Sequence, residues 1–440
     1  MQTASQLIKT SLAAALMLLG TSLHASESKE PSSIADAFRA ASQQHRPVLI
    51  DFHAVWCYSC YYMASHVLNG PAWAAVERQA VVVEADADSP DGQAWMKKLK
   101  VSFLPSYVVL DEHGNELGRI AAEQPREKFY PQINAIIANG NTLDALKTKA
   151  GTGSVEAVAG VLAAYQARDE GEPGLRWFGS LPAPVRQASG MDTRVALTLA
   201  QLGLAKAQAS NDSQAVIDEA QRVLAGPLGC ARPYVLEPLL EASKSLVAAQ
   251  RQAILAAQRK PFDEYINSQV LTANPACADQ RSAVLASANL DAALDDHASE
   301  SAVLERAIQI ARQGLGDDVK RDRNLADNLR AYLARAKRSD ELDALQRKLI
   351  AAYPDDYVYS YRYGRSLLEA GKPEAALPYL SQAASKAYGA NRLAVATQQV
   401  KALKALHRAD EARKVADQAV ADSGPWFPKQ TDALRLEVKS

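Results

Sequence analysis

The run VLIDFHAVWCYSC, Val48 to Cys60, constrains this chain more than any other stretch. A β-prone segment, Pro47 to His53, leads into a Cys-x-x-Cys pair, Cys57 and Cys60, and residues from Cys57 to about Leu68 read as a helix. A cysteine at the start of a helix faces unpaired backbone N–H groups and the positive end of the helix dipole, which favour the thiolate. The thiolate is the form that attacks a disulfide. The pattern therefore makes Cys57 a partly exposed nucleophile and Cys60, one turn later, a buried resolving thiol. The residues alone leave two other readings, a structural bridge and half a zinc site. Zinc needs about four ligands, and no second Cys-x-x-Cys or paired histidines follow.

The flanking sequence supplies a small α/β frame. An amphipathic helix is expected from Ile34 to about Gln44, a second strand in AVVVEADAD and a helix in DGQAWMKKLKV. PSYVVLDEHGNELGRI reads as a hairpin turning at Gly114, and QPREKFYPQINAIIA as a closing helix. The order β-α-β-α-β-β-α after an initial helix suits a single α/β domain over residues 30–140.

In these residues the chain resembles the thioredoxin superfamily, whose pattern joins W-C-x-x-C to a later cis-proline ahead of a strand. Pro105, in VSFLPSYVVLD, falls at that proline. VLIDFHAVWC and LKVSFLPS also resemble the C-terminal thioredoxin-like domain of the membrane electron transporters that reduce periplasmic disulfides. The resemblance implies that Cys57 and Cys60 form a redox-active disulfide. It implies that Trp56 covers the pair, that Tyr58 and Ser59 tune its potential, and that Leu104 and Pro105 bind an extended substrate by strand addition. Asp51 resembles the family's buried acid, the proton acceptor for Cys60; its plain alternative is an acid at a strand end. Where thioredoxin has a lysine on the next strand this chain has Glu84, and two carboxylates sharing a site raise one pKa.

After ANGNT the pattern turns helical. Leu333, Leu342, Leu349 and Pro354 are answered 34 residues later by Leu367, Ala376, Ala383 and Tyr388. That period resembles the tetratricopeptide repeat. Three units are read at 323–356, 357–390 and 391–426 within a repeat region of 323–440, and residues 141–322 read as degenerate helical hairpins interrupted by the Gly/Pro-rich DEGEPGLRWFGSLPAPVRQASG. YVYSYRY alternates like a strand, yet the register puts it on the first helix of a unit, where Tyr363 alone need enter the core. The expected fold class is an α/β thioredoxin fold followed by an all-α, TPR-like helical-repeat region.

Residues 1–25 read as a secretory signal: Lys9, an apolar stretch from about Leu12 to Leu19, and cleavage after Ala25. The stretch falls short of the roughly 20 residues that span a bilayer. A periplasmic location follows, and in an oxidising compartment four cysteines are expected to pair. Cys230 and Cys277, beside Pro/Gly-rich joints, read as a structural disulfide, with two free buried thiols as the alternative. A net charge of −1 gives no reason to expect nucleic acid, and no metal or cofactor is expected. The leading reading is an exported thiol–disulfide oxidoreductase, a reductase or electron acceptor. Its partners would be protein substrates with disulfides or thiols, a membrane electron donor, and a protein held on the helical repeats. The alternative is a TPR-type scaffold that uses the thioredoxin fold for docking with little redox turnover.

Overall fold

The computed structural model describes residues 31–439, so the expected signal segment lies outside the described residues. Helix α1 (Ile34–Gln44) precedes β1 (Val48–His53), and a helix α2 (Tyr58–Tyr62) passes directly into a π-helical turn, Met63–Val67. Then come α3 (Gly70–Gln79), β2 (Val81–Asp86), α4 (Pro90–Leu99), β3 (Ser106–Leu110), β4 (Glu116–Ala121) and α5 (Arg126–Asn139). The sheet order is β2-β1-β3-β4, with β1 and β2 parallel and the other pairs antiparallel. Helix α3 is absent from the sequence reading, which stopped at the Asn69-Gly70-Pro71 break. Gly70 takes φ +71° and Pro71 opens the new helix, a first-turn position where its missing N–H costs nothing.

Strand β1 is central and almost wholly buried, so each sheet face carries its own core. Val48, Ile50 and Phe52 pack with Ile34, Ala37 and Leu99 on the face of α1 and α4. Leu49 packs with Met63, Val76, Tyr107 and Phe129 on the other face, beneath α3 and α5. Strand side chains alternate, so Asp51 shares the face of Leu49, the side on which Met63 and Val67 of the π turn also pack.

From Leu143 to Lys439 the described chain is helical, without a strand. Helix pairs begin at Arg323 (Arg323–Arg335 with Ser339–Ala352), Tyr357 (Tyr357–Glu369 with Pro373–Ala384) and Gly389 (Gly389–Ala405 with Ala409–Ser423). Gly364 allows one such pair to close: a Cβ there would meet Leu380 Cγ at 2.8 Å. The Gly/Pro-rich stretch expected to interrupt the hairpins is instead two helices, Gly171–Ser180 and Ala183–Gly190. Its glycines serve close packing, since a Cβ on Gly171 would lie 2.6 Å from the Leu202 carbonyl oxygen and one on Gly174 would lie 2.9 Å from Tyr165 Cβ. YVYSYRY is helical, but Tyr357 and Tyr359 are buried along with Tyr363. The expectation of a single core tyrosine fails for two reasons: Val55 of the α/β domain packs against the cluster that holds Tyr357, and Tyr359 stacks on Tyr353 and bonds to Arg323 and Asp327 inside the helical region.

Candidate functional site

The local chain dictates where the cysteines sit. Beyond His53 the backbone turns, Cys57 N donating to Ala54 O at 3.1 Å, and Cys57 takes an extended conformation as the N-cap of α2. Its sulfur accepts the Cys60 N–H at 3.1 Å, which satisfies one orphan donor of the first turn. Cys57 and Cys60 are joined as a disulfide. Around them pack Ala54, Ala87, Met96 and Leu104, and the Leu104–Pro105 peptide bond is cis. Exposure departs from the sequence reading: Cys57 is only 4% exposed and Cys60 is half-buried. The surrounding Ala54, Ala87 and Leu104 enclose the first sulfur, which a strand-turn-helix pattern does not reveal.

Asp51 lies buried on β1, level with Glu84 on β2 and Tyr107 on β3. One carboxyl oxygen, Oδ1, has no hydrogen-bond partner. Burial, and secondarily the charge of Glu84, pushes its pKa up to about 8. A carboxyl so placed is mostly protonated at neutral pH. His53, at the end of the same strand, approaches Glu84 at 3.8 Å.

Trp56 is 40% exposed, and its indole N–H donates to Asp88 Oδ2 at 2.7 Å. Asp88 is buried, which raises its pKa, while bonds from Asn391 and Trp56 oppose that rise. Ser59 is bonded to Glu123, a carboxyl pushed up chiefly by burial and next by the charge of Asp279.

The sequence reading missed the groups that reach this loop from the helical region. Asn324 donates to the Tyr58 carbonyl at 3.0 Å and Arg330 to the Tyr58 hydroxyl at 2.8 Å. Arg362 donates to the Trp56 carbonyl at 2.8 Å, and Arg323 to the Tyr61 hydroxyl at 3.0 Å. The Arg281 and Arg362 guanidinium groups lie 3.6 and 4.4 Å from the centre of the Tyr58 ring. Arg330 and Arg362 share one fully buried carboxylate, Asp327, at 3.0 and 2.7 Å; the two cations hold it ionised against the cost of burial. The only hint in the sequence was an acid, Asp327, among the core positions of a helix with Arg330 one turn away. Nothing in the sequence linked those residues to Tyr58, more than 250 positions earlier.

Among the described residues no cluster of His, Cys, Asp or Glu could hold a metal ion, and no helix is long and apolar enough to cross a membrane. Cys230 and Cys277 are joined as a second disulfide, with Lys128 of α5 4.0 Å from the Cys230 sulfur.

Residues 30–112 match a family model described as thioredoxin-like. Over 108 residues the chain is 33% identical to the thiol:disulfide interchange protein DsbD of Ralstonia nicotianae, covering 24% of this chain and 18% of that protein. It is 24% identical over 119 residues to the chloroplastic thioredoxin-like protein HCF164 of Arabidopsis thaliana, covering 26% of this chain and 43% of the relative. The solution structure of a thioredoxin from Thermus thermophilus aligns at 27% identity over 24% of this chain and 86% of that one, with a TM-score of 0.23. The chain therefore carries a thioredoxin-like domain with a Cys-x-x-Cys pair, similar to those of DsbD and HCF164, followed by a long all-helical region.

Proposed function

We propose that this protein is an exported, periplasmic thiol–disulfide oxidoreductase that acts on protein substrates, in the reducing direction, with its helical region as a TPR-like partner-binding module. The observation that carries the reading is the Cys57–Cys60 disulfide at the start of α2, packed with Leu104 ahead of the cis Pro105. The similarity to proteins named for thiol:disulfide interchange supports it, and the residues before position 26 support export.

In the dithiol form the Cys57 thiolate attacks one sulfur of a target disulfide, and the other target sulfur leaves as a thiolate. Cys60 then gives up its proton and attacks the Cys57 sulfur of the mixed disulfide. The second target thiolate departs and the Cys57–Cys60 bond is restored. Two electrons pass to the target, whose sulfurs take up two protons. Asp51, mostly protonated at neutral pH, takes the Cys60 proton in the fraction of molecules where it is ionised: its pKa of about 8 is close to the roughly 8.5 of an ordinary thiol, so the transfer between them is nearly balanced. A membrane electron donor returns the pair to the dithiol.

The second reading, a scaffold with little turnover, draws on the burial of Cys57 and the clamp of Asn324, Arg330 and Arg362 on its neighbours. Insulin reduction by the purified full chain separates the two. Catalysed precipitation that Cys57→Ser and Cys60→Ser each abolish supports the oxidoreductase. An inactive parent whose partner capture survives both substitutions overturns it.

A further inference from the structure

A groove of about 520 Å³ opens where the cysteine loop meets the helical region. Trp56 and Tyr58, the two residues that flank Cys57, form one side; Arg330, Arg362, Arg365 and Tyr361 stand among the residues of the other. Neither module makes this groove alone. Its volume is within the range of roughly 300–1,000 Å³ typical of sites that enclose a ligand.

The charges do not cancel. Arg330 and Arg362 both pair with the single carboxylate of Asp327, which leaves one guanidinium charge unmatched. Arg365 pairs with Glu369, the one carboxylate in the lining, and its side chain is 54% exposed. Planar guanidinium groups favour carboxylates, which they can grip with two parallel hydrogen bonds. The aromatic rings of Trp56 and Tyr361 offer apolar surface alongside, so the lining suits a polypeptide better than a lone inorganic anion.

We propose that this groove binds an extended, acidic peptide segment of the protein substrate, holding its reactive cysteine beside Cys57. The inference deepens the proposed function and relies on it for the chemistry, but binding can be measured without redox turnover.

The test uses two fluorescent peptides of equal length, one with glutamates and one with lysines around a serine in the cysteine's place. Anisotropy with the full oxidised chain at low salt should show the acidic peptide binding at least tenfold more tightly. Arg365→Glu should remove most of that difference. Glu369→Gln, which deletes the opposing carboxylate, should tighten acidic-peptide binding about threefold, so an unfolded first variant does not decide the matter. Equal binding of the two peptides, or a preference that both variants leave unchanged, overturns the proposal. Cysteine-containing versions as disulfide dimers then separate the two claims. Selective acidic binding with no reduction of either dimer keeps the groove and removes the oxidoreductase reading; reduction of both at equal rates with equal binding does the reverse.

Discussion

The Arg362 guanidinium donates to the backbone carbonyl of Trp56 at 2.8 Å, across 306 positions of the chain. The same side chain pairs with buried Asp327 and stacks on Tyr58. One arginine thus ties the residues on either side of Cys57 to the helical region. The helices are part of the environment of the disulfide, rather than a remote appendage.

Arg362→Ala should therefore loosen the loop and leave the buried Asp327 carboxylate with Arg330 as its single cationic partner. Breaking such a network costs about 3 kcal/mol. The expected result is a lower denaturation midpoint together with faster reduction of the Cys57–Cys60 bond by dithiothreitol. Unchanged reduction kinetics in a folded variant would show that the clamp does not govern access.

Gly389 sits at a close backbone contact between the sheet domain and the helices. Its φ is +53°, and a Cβ there would lie 1.8 Å from the Asp88 carbonyl oxygen, at a junction where Ala390 N donates to that oxygen at 3.3 Å. Gly389→Ala should drive a wedge into this contact, adding overpacking of about 1–3 kcal/mol to the left-handed backbone strain. Limited proteolysis should cut the variant faster between the two regions, with far-ultraviolet circular dichroism nearly unchanged. Equal digestion of parent and variant would contradict it.

Asp51 makes stability depend on pH with a definite sign. Its folded pKa, about 8, lies above that of the unfolded chain, near 3.9. Between those values the unfolded chain releases a proton that the folded chain keeps, so this group's contribution falls as pH rises and levels off above pH 8. Asp51→Asn should accordingly gain on the parent by up to about 1.4 kcal/mol per pH unit across that window. Denaturant titrations at pH 5 and pH 7 measure the slope, and parallel curves would place the carboxyl's pKa elsewhere.

The second disulfide joins residues 47 positions apart. A closed loop of that size restricts the unfolded chain by roughly 4 kcal/mol on chain-entropy grounds. Replacing both Cys230 and Cys277 by serine should lower the unfolding midpoint while insulin reduction survives at 25 °C. Loss of turnover in a folded double variant would assign this bridge a redox role as well.

Cys60→Ser removes the sulfur proposed to resolve the mixed disulfide but leaves the Cys57 N-cap in place. Mixed disulfides through Cys57 should then accumulate in extracts, identifiable by mass spectrometry after non-reducing separation. Adducts equally abundant in Cys57→Ser would show that Cys57 is not the attacking residue.

The sequence by itself determined the elements around the cysteines, because their signals are local. The short β-prone apolar run in VLIDFH makes a buried strand, a cysteine before a helical run makes an N-cap, and the 34-residue recurrence of small residues makes stacked helix pairs. The resemblance to the thioredoxin pattern anticipated the meeting of Asp51 with Glu84 on the neighbouring strand. Helix α3 escaped because Asn-Gly-Pro reads equally well as a break and as a helix start.

Tertiary structure alone decided what surrounds the disulfide. The inward turn of Tyr357 and the arginines over Tyr58 come from packing two regions far apart along the chain, while Ala87 and Leu104 from other elements of the α/β domain bury Cys57 and neighbouring helices bury Tyr359. No local propensity encodes such a contact. Guanidinium groups read as solvated surface in a sequence, and only the docked fold shows that they share the buried carboxylate of Asp327 and reach the backbone beside Cys57.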